Sequence, residues 1–220
     1  MGLIRMGPPE ELILQLLKVS HFESFIETGT YRGDTAKWAA HHFKQVISIE
    51  LSKAMYDHAS ARCKDDANIQ LVFGDTRAEL ASIVPRLATP CLFWLDAHWS
   101  GGDTYGEHDE CPLLKEIELA GMSGVEHTVL IDDARHFLSP PQPPHRPEQW
   151  PAIAEVIHRL NQPHDRYIVI IEDVVVAVPI SLKRPVIEYC QKVNARSWSS
   201  HTSGGRTSRM SRLLHRLRAD

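Results

Sequence analysis

The sequence predicts an α/β protein: a doubly wound, mostly parallel sheet of seven strands that ends in a hairpin. Three observations predict it. Short apolar runs alternate with helical patterns from residue 22 to residue 160, the order that gives parallel strands joined by crossover helices. Successive runs end in an acid: Glu27, Glu50, Asp75 (one residue after Gly74) and Asp96. The last apolar stretch, Tyr167 to Val178, is rich in β-branched residues and is interrupted only by Glu172-Asp173, which reads as two strands around a tight turn.

The elements follow in order. Leu12, Ile13, Leu16 and Leu17 stand at helical spacing after Pro8-Pro9, so residues 9–18 form an amphipathic helix. The first strand runs from Phe22 to Glu27 and is followed by a glycine turn and a helix over 34–43. Val46 to Glu50 is the second strand, with a helix over 52–63 behind Ser52. Ile69 to Phe73 is the third, followed by Gly74-Asp75 and a helix over 76–87. Cys91 to Asp96 is the fourth. A long polar loop over 97–111 leads to a helix that Pro112 opens. Thr128 to Asp133 is the fifth, and a proline-rich stretch over 139–147 precedes a helix near 150–160.

The first βα turn, Glu27-Thr28-Gly29-Thr30-Tyr31-Arg32-Gly33-Asp34-Thr35, carries the strongest local signal. Gly29 permits a positive φ or a close backbone approach. Gly33 lets the helix start pack closely on the strand, and Asp34 or Thr35 can cap the first turn. A dinucleotide fingerprint needs a glycine where Tyr31 stands. Glu27 would repel a phosphate and suits a cationic amine. Glu50 lies 21 residues after Gly29, where an acid grips a ribose diol in nucleotide-binding βαβ units.

Glu27-x-Gly29-x-x-x-Gly33, with Glu50 and Asp75 following, resembles motif I and the succeeding strand-end acids of class I S-adenosylmethionine (SAM)-dependent methyltransferases. The resemblance covers about residues 20–180 and lies in the ordered series of acids. It implies a Rossmann-like fold whose last strand is antiparallel to the rest. It also implies SAM as cofactor, bound by Glu27, Gly29, Thr30, Gly33, Glu50, Asp75 and Asp96. Asp75 would then accept a hydrogen bond from the adenine amino group.

The second constellation is Asp96-Ala97-His98 with Asp132-Asp133-Ala134-Arg135-His136. Neighbouring strands four and five would bring Asp96, Asp132 and Asp133 together at one rim. One reading is a hard cation, Mg²⁺, held by these three carboxylates. That arrangement resembles metal-dependent O-methyltransferases of small molecules. The other reading is that Asp132-Asp133 caps the loop and pairs with Arg135. His98 and His136 are the candidate general bases, with Asp96 beside them, and His98 is favoured because it leaves the strand nearest the methyl group.

Composition bounds the rest. The 220 residues are 43% hydrophobic and 24% charged, with a net charge of −4, so no global basic field points to nucleic acid. Cys63, Cys91, Cys111 and Cys190 show no C-x-x-C pairing and suit reduced thiols in the cytoplasm. No run is long enough for a membrane span. Residues 1–182 read as the catalytic domain. Residues 183–220 read as a basic, Ser/Gly-rich, partly disordered extension, with a short helix near 185–193.

The function expected is O-methylation of a small hydroxylated acceptor, a sugar or natural product, with Mg²⁺ assistance left open. A non-catalytic cofactor-binding module and a dinucleotide-dependent oxidoreductase are the alternatives. A homodimer is also left open.

Overall fold

The structure is a computed structural model, and it describes residues 7–99 and 109–216, with side chains up to residue 200. The chain divides into two compact units, 1–183 and 184–220. In the first unit, seven strands form one sheet: β1 (Ser24–Thr28), β2 (Gln45–Glu50), β3 (Ile69–Phe73), β4 (Cys91–Leu95), β5 (Thr128–Ile131), β6 (Arg166–Ile171) and β7 (Val174–Pro179). Their order across the sheet is β3-β2-β1-β4-β5-β7-β6. The β1 to β5 ladders are parallel, and β7 runs antiparallel to both β5 and β6. The expected hairpin and the reversed last strand are therefore both present.

The helices of this unit are α1 (Glu10–Leu17), α2 (Asp34–Ala40), α3 (Lys53–Cys63), α4 (Thr76–Ile83), α5 (Leu113–Ala120), α6 (Arg135–Leu138) and α7 (Ile153–Leu160). Every residue of β1, β4, β5 and β7 is buried. Helices covering both faces of a sheet demand such unbroken apolar runs, without the alternation of a half-solvated strand. The core groups Ile26, Ile49, Phe93 and Val129 with Leu80, Ile117 and Val156 from the covering helices. The edge strands β3 and β6 are only part-buried.

At the amino ends of the strands the polar groups serve the fold. His127 Nδ1 accepts from the Cys91 backbone N–H at 3.0 Å, and His127 Nε2 lies 2.5 Å from Ser123 Oγ. Burial holds its pKa down to about 4, so the ring is neutral. Among the described residues no disulfide forms.

The second unit is helical. Helix α8 runs Lys183–Arg216, longer than the stretch near 185–193 that the sequence marks as helical. Ser199 and Ser200 donate their hydroxyls to the carbonyls of Ala195 and Arg196, which satisfies them within the helix. Among the described residues no helix is long and apolar enough to cross a membrane.

Candidate active site

The parallel ladders place the carboxyl ends of β1, β2, β3, β4 and β5 on one rim, and the rim gathers nearly all the acids read from the sequence. The half expected from the sequence to hold the cofactor, called the cofactor half below, is built on β1. Gly29 has φ +83, and a Cβ there would lie 2.3 Å from the Asp96 carbonyl oxygen. Only glycine lets the turn pass this close to the end of β4. Asp96 N–H donates back to the Thr28 carbonyl at 3.0 Å, which fastens the two strand ends together.

Gly33 has φ +78, and its missing Cβ admits Cys63 Sγ and Ala59. The close packing it permits is thus against α3, not against the strand as expected. No side chain caps α2, since Asp34 turns outward to pair with Arg62. Tyr31, where a dinucleotide turn carries its middle glycine, adopts φ +49 with its ring half-exposed.

Glu27 is buried. It accepts from Ser48 Oγ, and Ser48 Oγ lies 2.6 Å from Thr30 Oγ1. Burial, helped by the charges of Asp96 and Glu50, pushes the Glu27 carboxyl up to about 8. The Ser48 and Thr35 hydroxyls favour its charged form, and an incoming cation would favour it further. The Glu50 carboxylate accepts from the Tyr31 N–H at 2.8 Å and the Ser52 N–H at 2.7 Å, so it fixes the turn to β2. Asp75 caps α4 through Arg77 N–H and is gripped by the Arg77 guanidinium. That grip holds its pKa low. Arg77 also reaches Asp109, at the end of the long loop.

The acid–base half sits at β4 and β5. His98 is buried, with Nε2 at 2.9 Å from Asp133 Oδ2 and 3.6 Å from Asp96 Oδ1. Burial opposes its positive charge, but the Asp133 hydrogen bond and the nearby carboxylates outweigh that, so its pKa is raised. Burial likewise works against the Asp133 carboxylate, but His98 and Arg135 overcome it and hold Asp133 at about 2. Burial raises both Asp132 and Asp96, and the more distant charge of His98 only partly offsets it. His136 Nε2 is 3.8 Å from Asp133 Oδ2, and burial and Arg135 lower its pKa. Of the two candidate bases, His98 is the one fastened to a carboxylate.

The three aspartates do meet, but their arrangement does not fit Mg²⁺. Asp133 Oδ1 is taken by the Arg135 guanidinium and Oδ2 by His98, while Asp132 Oδ1 accepts from the Asp133 N–H. Among the described residues no group of three or more His, Cys, Asp or Glu is placed to hold a metal ion. The second sequence reading, a capped loop paired with Arg135, describes the arrangement found.

The roles of several site residues escaped the sequence. Glu110 is buried and accepts from Trp150 Nε1 at 2.7 Å and from Arg146 N–H at 3.0 Å, with His145 Nδ1 at 3.2 Å. It ties the end of the first long loop to the second, and Trp150 packs on His98 and His136. Glu116 on α5 is buried, its pKa raised by burial to about 7, and its Oε1 has no hydrogen-bond partner. Glu110 was visible in the sequence as one acid of the long loop, and nothing in the local sequence distinguished Glu116. Asp173 could have been suspected, because a two-residue hairpin turn normally carries Asn-Gly rather than Glu-Asp. Residues 100–108 of the long loop lie outside the described residues.

Strand order, the reversed β7 and the glycine turn against β4 together decide the architecture. The chain has the class I methyltransferase fold. No family model matches it, and no curated protein matches its sequence. Solved structures do match its shape. The O-methyltransferase TomG from Streptomyces achromogenes, involved in tomaymycin synthesis and solved with SAM, superposes with a TM-score of 0.54 at 14% identity. The match covers 80% of this chain and 81% of that one. An O-methyltransferase from Bacillus cereus in complex with SAH gives a TM-score of 0.53 at 16% identity, over 80% of this chain and 83% of the other. At these identities the likeness is one of methyltransferase fold.

Proposed function

We propose that this methyltransferase-fold protein transfers a methyl group from SAM to a hydroxyl of a small hydroxylated acceptor, a sugar or natural product. The observation that carries the reading is His98, a buried imidazole held by Asp133 at the end of β4. Bound SAM supplies an electrophilic methyl on a sulfonium. The residues present fit that cofactor. Gly29 keeps the turn free of a side chain, Glu27 awaits a cation, and Glu50 stands at the end of β2 where a ribose diol is met. Thr30 and Gly33 shape the turn, and the Asp96 backbone closes it. Asp75 serves here by holding Arg77 in place, since its oxygens already accept from that side chain.

The chemistry asked of the protein is alignment, removal of one proton and exclusion of water. In its neutral form His98 donates its Nε2 proton to Asp133 and leaves Nδ1 to accept the acceptor's hydroxyl proton. Asp133 stabilises the imidazolium that results. Asp96, beside His98, adds negative charge where positive charge develops. Trp150, held by Glu110, packs against the ring of His98 and keeps water from it. The reaction is proposed without Mg²⁺, because Arg135 and His98 already take the Asp133 oxygens. The dinucleotide alternative is disfavoured by Tyr31 in the turn and by buried Glu27.

The test is methyl transfer from labelled SAM to a panel of hydroxylated acceptors, with wild type and His98→Ala. Loss of general-base catalysis should slow transfer roughly 10²–10⁴-fold with SAM affinity kept. Equal rates for the two proteins would remove His98 as base. No transfer to any acceptor, with SAM bound, would favour a binding module.

A further inference from the structure

The two-residue β6–β7 turn takes left-handed backbone at both central positions and places acids there instead of the usual Asn-Gly. Glu172 has φ +50 and Asp173 φ +67, and Asp133 across from them has φ +55. Left-handed backbone is strained for residues with side chains and persists where surrounding contacts fix it. Those contacts are present. Asp173 O accepts from the Ala134 N–H at 2.8 Å, and Asp173 Oδ1 accepts from the Arg135 N–H at 2.9 Å. The other Asp173 oxygen takes the Arg135 guanidinium, which reaches on to Asp133 Oδ1. The antiparallel pairing of Ile131 with Val175 sets the turn beside the end of β5. A relay of four side chains results: Asp173, Arg135, Asp133 and His98.

We propose that Arg135, tethered by Asp173 of the hairpin turn, is the resident cation of Asp133 and so keeps a divalent metal from the strand-end aspartates. Asp96, Asp132 and Asp133 crowd negative charge at this rim, which some cation must offset. A guanidinium is permanently charged and forks between two carboxylates. It sits between Asp133 and Asp173 and leaves Asp133 Oδ2 turned to His98. Asp173 and Arg135 are therefore positioning residues. They hold the carboxylate that holds the base, and they close the site to a metal.

The inference rests on the methyltransferase reading only for the role of His98, and its test uses no cofactor. Mn²⁺ binding is followed by electron paramagnetic resonance on the full chain, as wild type, Arg135→Met, Asp173→Asn and Asp133→Asn. Wild type should show no Mn²⁺ site that depends on Asp133. Arg135→Met should gain Mn²⁺ affinity by at least about tenfold, and adding Asp133→Asn should remove the gain. Asp173→Asn, nearly isosteric, loosens the tether and should gain less. Wild-type Mn²⁺ binding that Asp133→Asn abolishes would overturn the proposal, as would an Arg135→Met protein with no gain. If Arg135→Met does not fold, Asp173→Asn decides by the same criterion, and no gain there overturns it. Binding indifferent to Asp133→Asn lies elsewhere and counts as no binding at the rim. SAM affinity, measured separately, reports on the methyltransferase reading alone.

Discussion

The two halves of the rim handle buried charge in different ways. In the cofactor half, on β1 and β2, Glu27 is surrounded by hydroxyls and has no cation, so its carboxyl is held near 8. In the acid–base half, on β4 and β5, Asp133 lies between His98 and Arg135 and is held near 2. Both acids lose solvent, and only the second has been given a counter-ion by the protein. The difference teaches where a ligand's charge is wanted. The first half has no cation of its own, and under the proposed function the sulfonium and amine of SAM would supply one. In the second half Asp133 already has its counter-ion, and His98 beside it is the base of the proposed reaction.

Gly29→Ala strikes the seam between the halves, and its effect should be the largest. The new Cβ meets the Asp96 carbonyl at 2.3 Å in a backbone of φ +83. Strain and overpacking together should cost roughly 2–5 kcal/mol, read by chemical denaturation. A variant of wild-type stability would mean that β1 and β4 do not meet as described.

The pH dependence of stability sharpens the contrast. An unfolded Glu27 ionises near 4.5 and the folded one near 8, so the fold binds that proton more tightly. Glu27 therefore lowers stability progressively as pH rises from about 4.5 to about 8. Glu116, near 7, acts in the same direction. Asp133 does not contribute over this range, because its ionised form is already favoured well below it. His127 and His136, whose pKa values are lowered, act in the opposite sense. The informative quantity is therefore a difference between proteins. Between about pH 5 and pH 8, Glu27→Gln should lose on the order of 2 kcal/mol less than wild type. Equal losses would show that Glu27 ionises normally in the fold.

Glu50→Ala should have the smallest effect, weakening SAM binding by about 1–2 kcal/mol. Part of that loss comes from freeing the Tyr31 and Ser52 N–H groups that Glu50 now holds. Calorimetry on the folded variant measures it, and unchanged affinity would take Glu50 out of the site.

The same division explains what the sequence could reveal. The cofactor half is encoded locally. Glu27, Gly29 and Gly33 share one turn, and Glu50 follows at the spacing that a βαβ unit dictates. Strand order follows from alternating apolar runs, and the hairpin from one acidic break in a β-branched stretch. In the acid–base half, Asp96, His98, Asp132 and Asp133 were legible because they end strands. Arg135 was legible as a neighbour of Asp133, but the distant partners were not. Asp173 lies 38 residues from Arg135 in the chain, and Trp150 lies 40 from Glu110. Only the packed sheet and the folded loops bring those pairs together. The choice between a metal and Arg135 was open in the sequence for this reason: both readings were visible along the chain, and the Asp173 tether that fixes Arg135 depends on tertiary contact.

The central claim is that the cofactor half awaits SAM. Calorimetric titration of the full chain with SAM, SAH and NAD, each with Mg²⁺ and with chelator, tests it most directly. The account predicts that SAM and SAH bind at one site per chain, that chelator changes neither, and that NAD does not compete. Tighter binding of NAD than of SAM, or no binding of SAM at all, would contradict it.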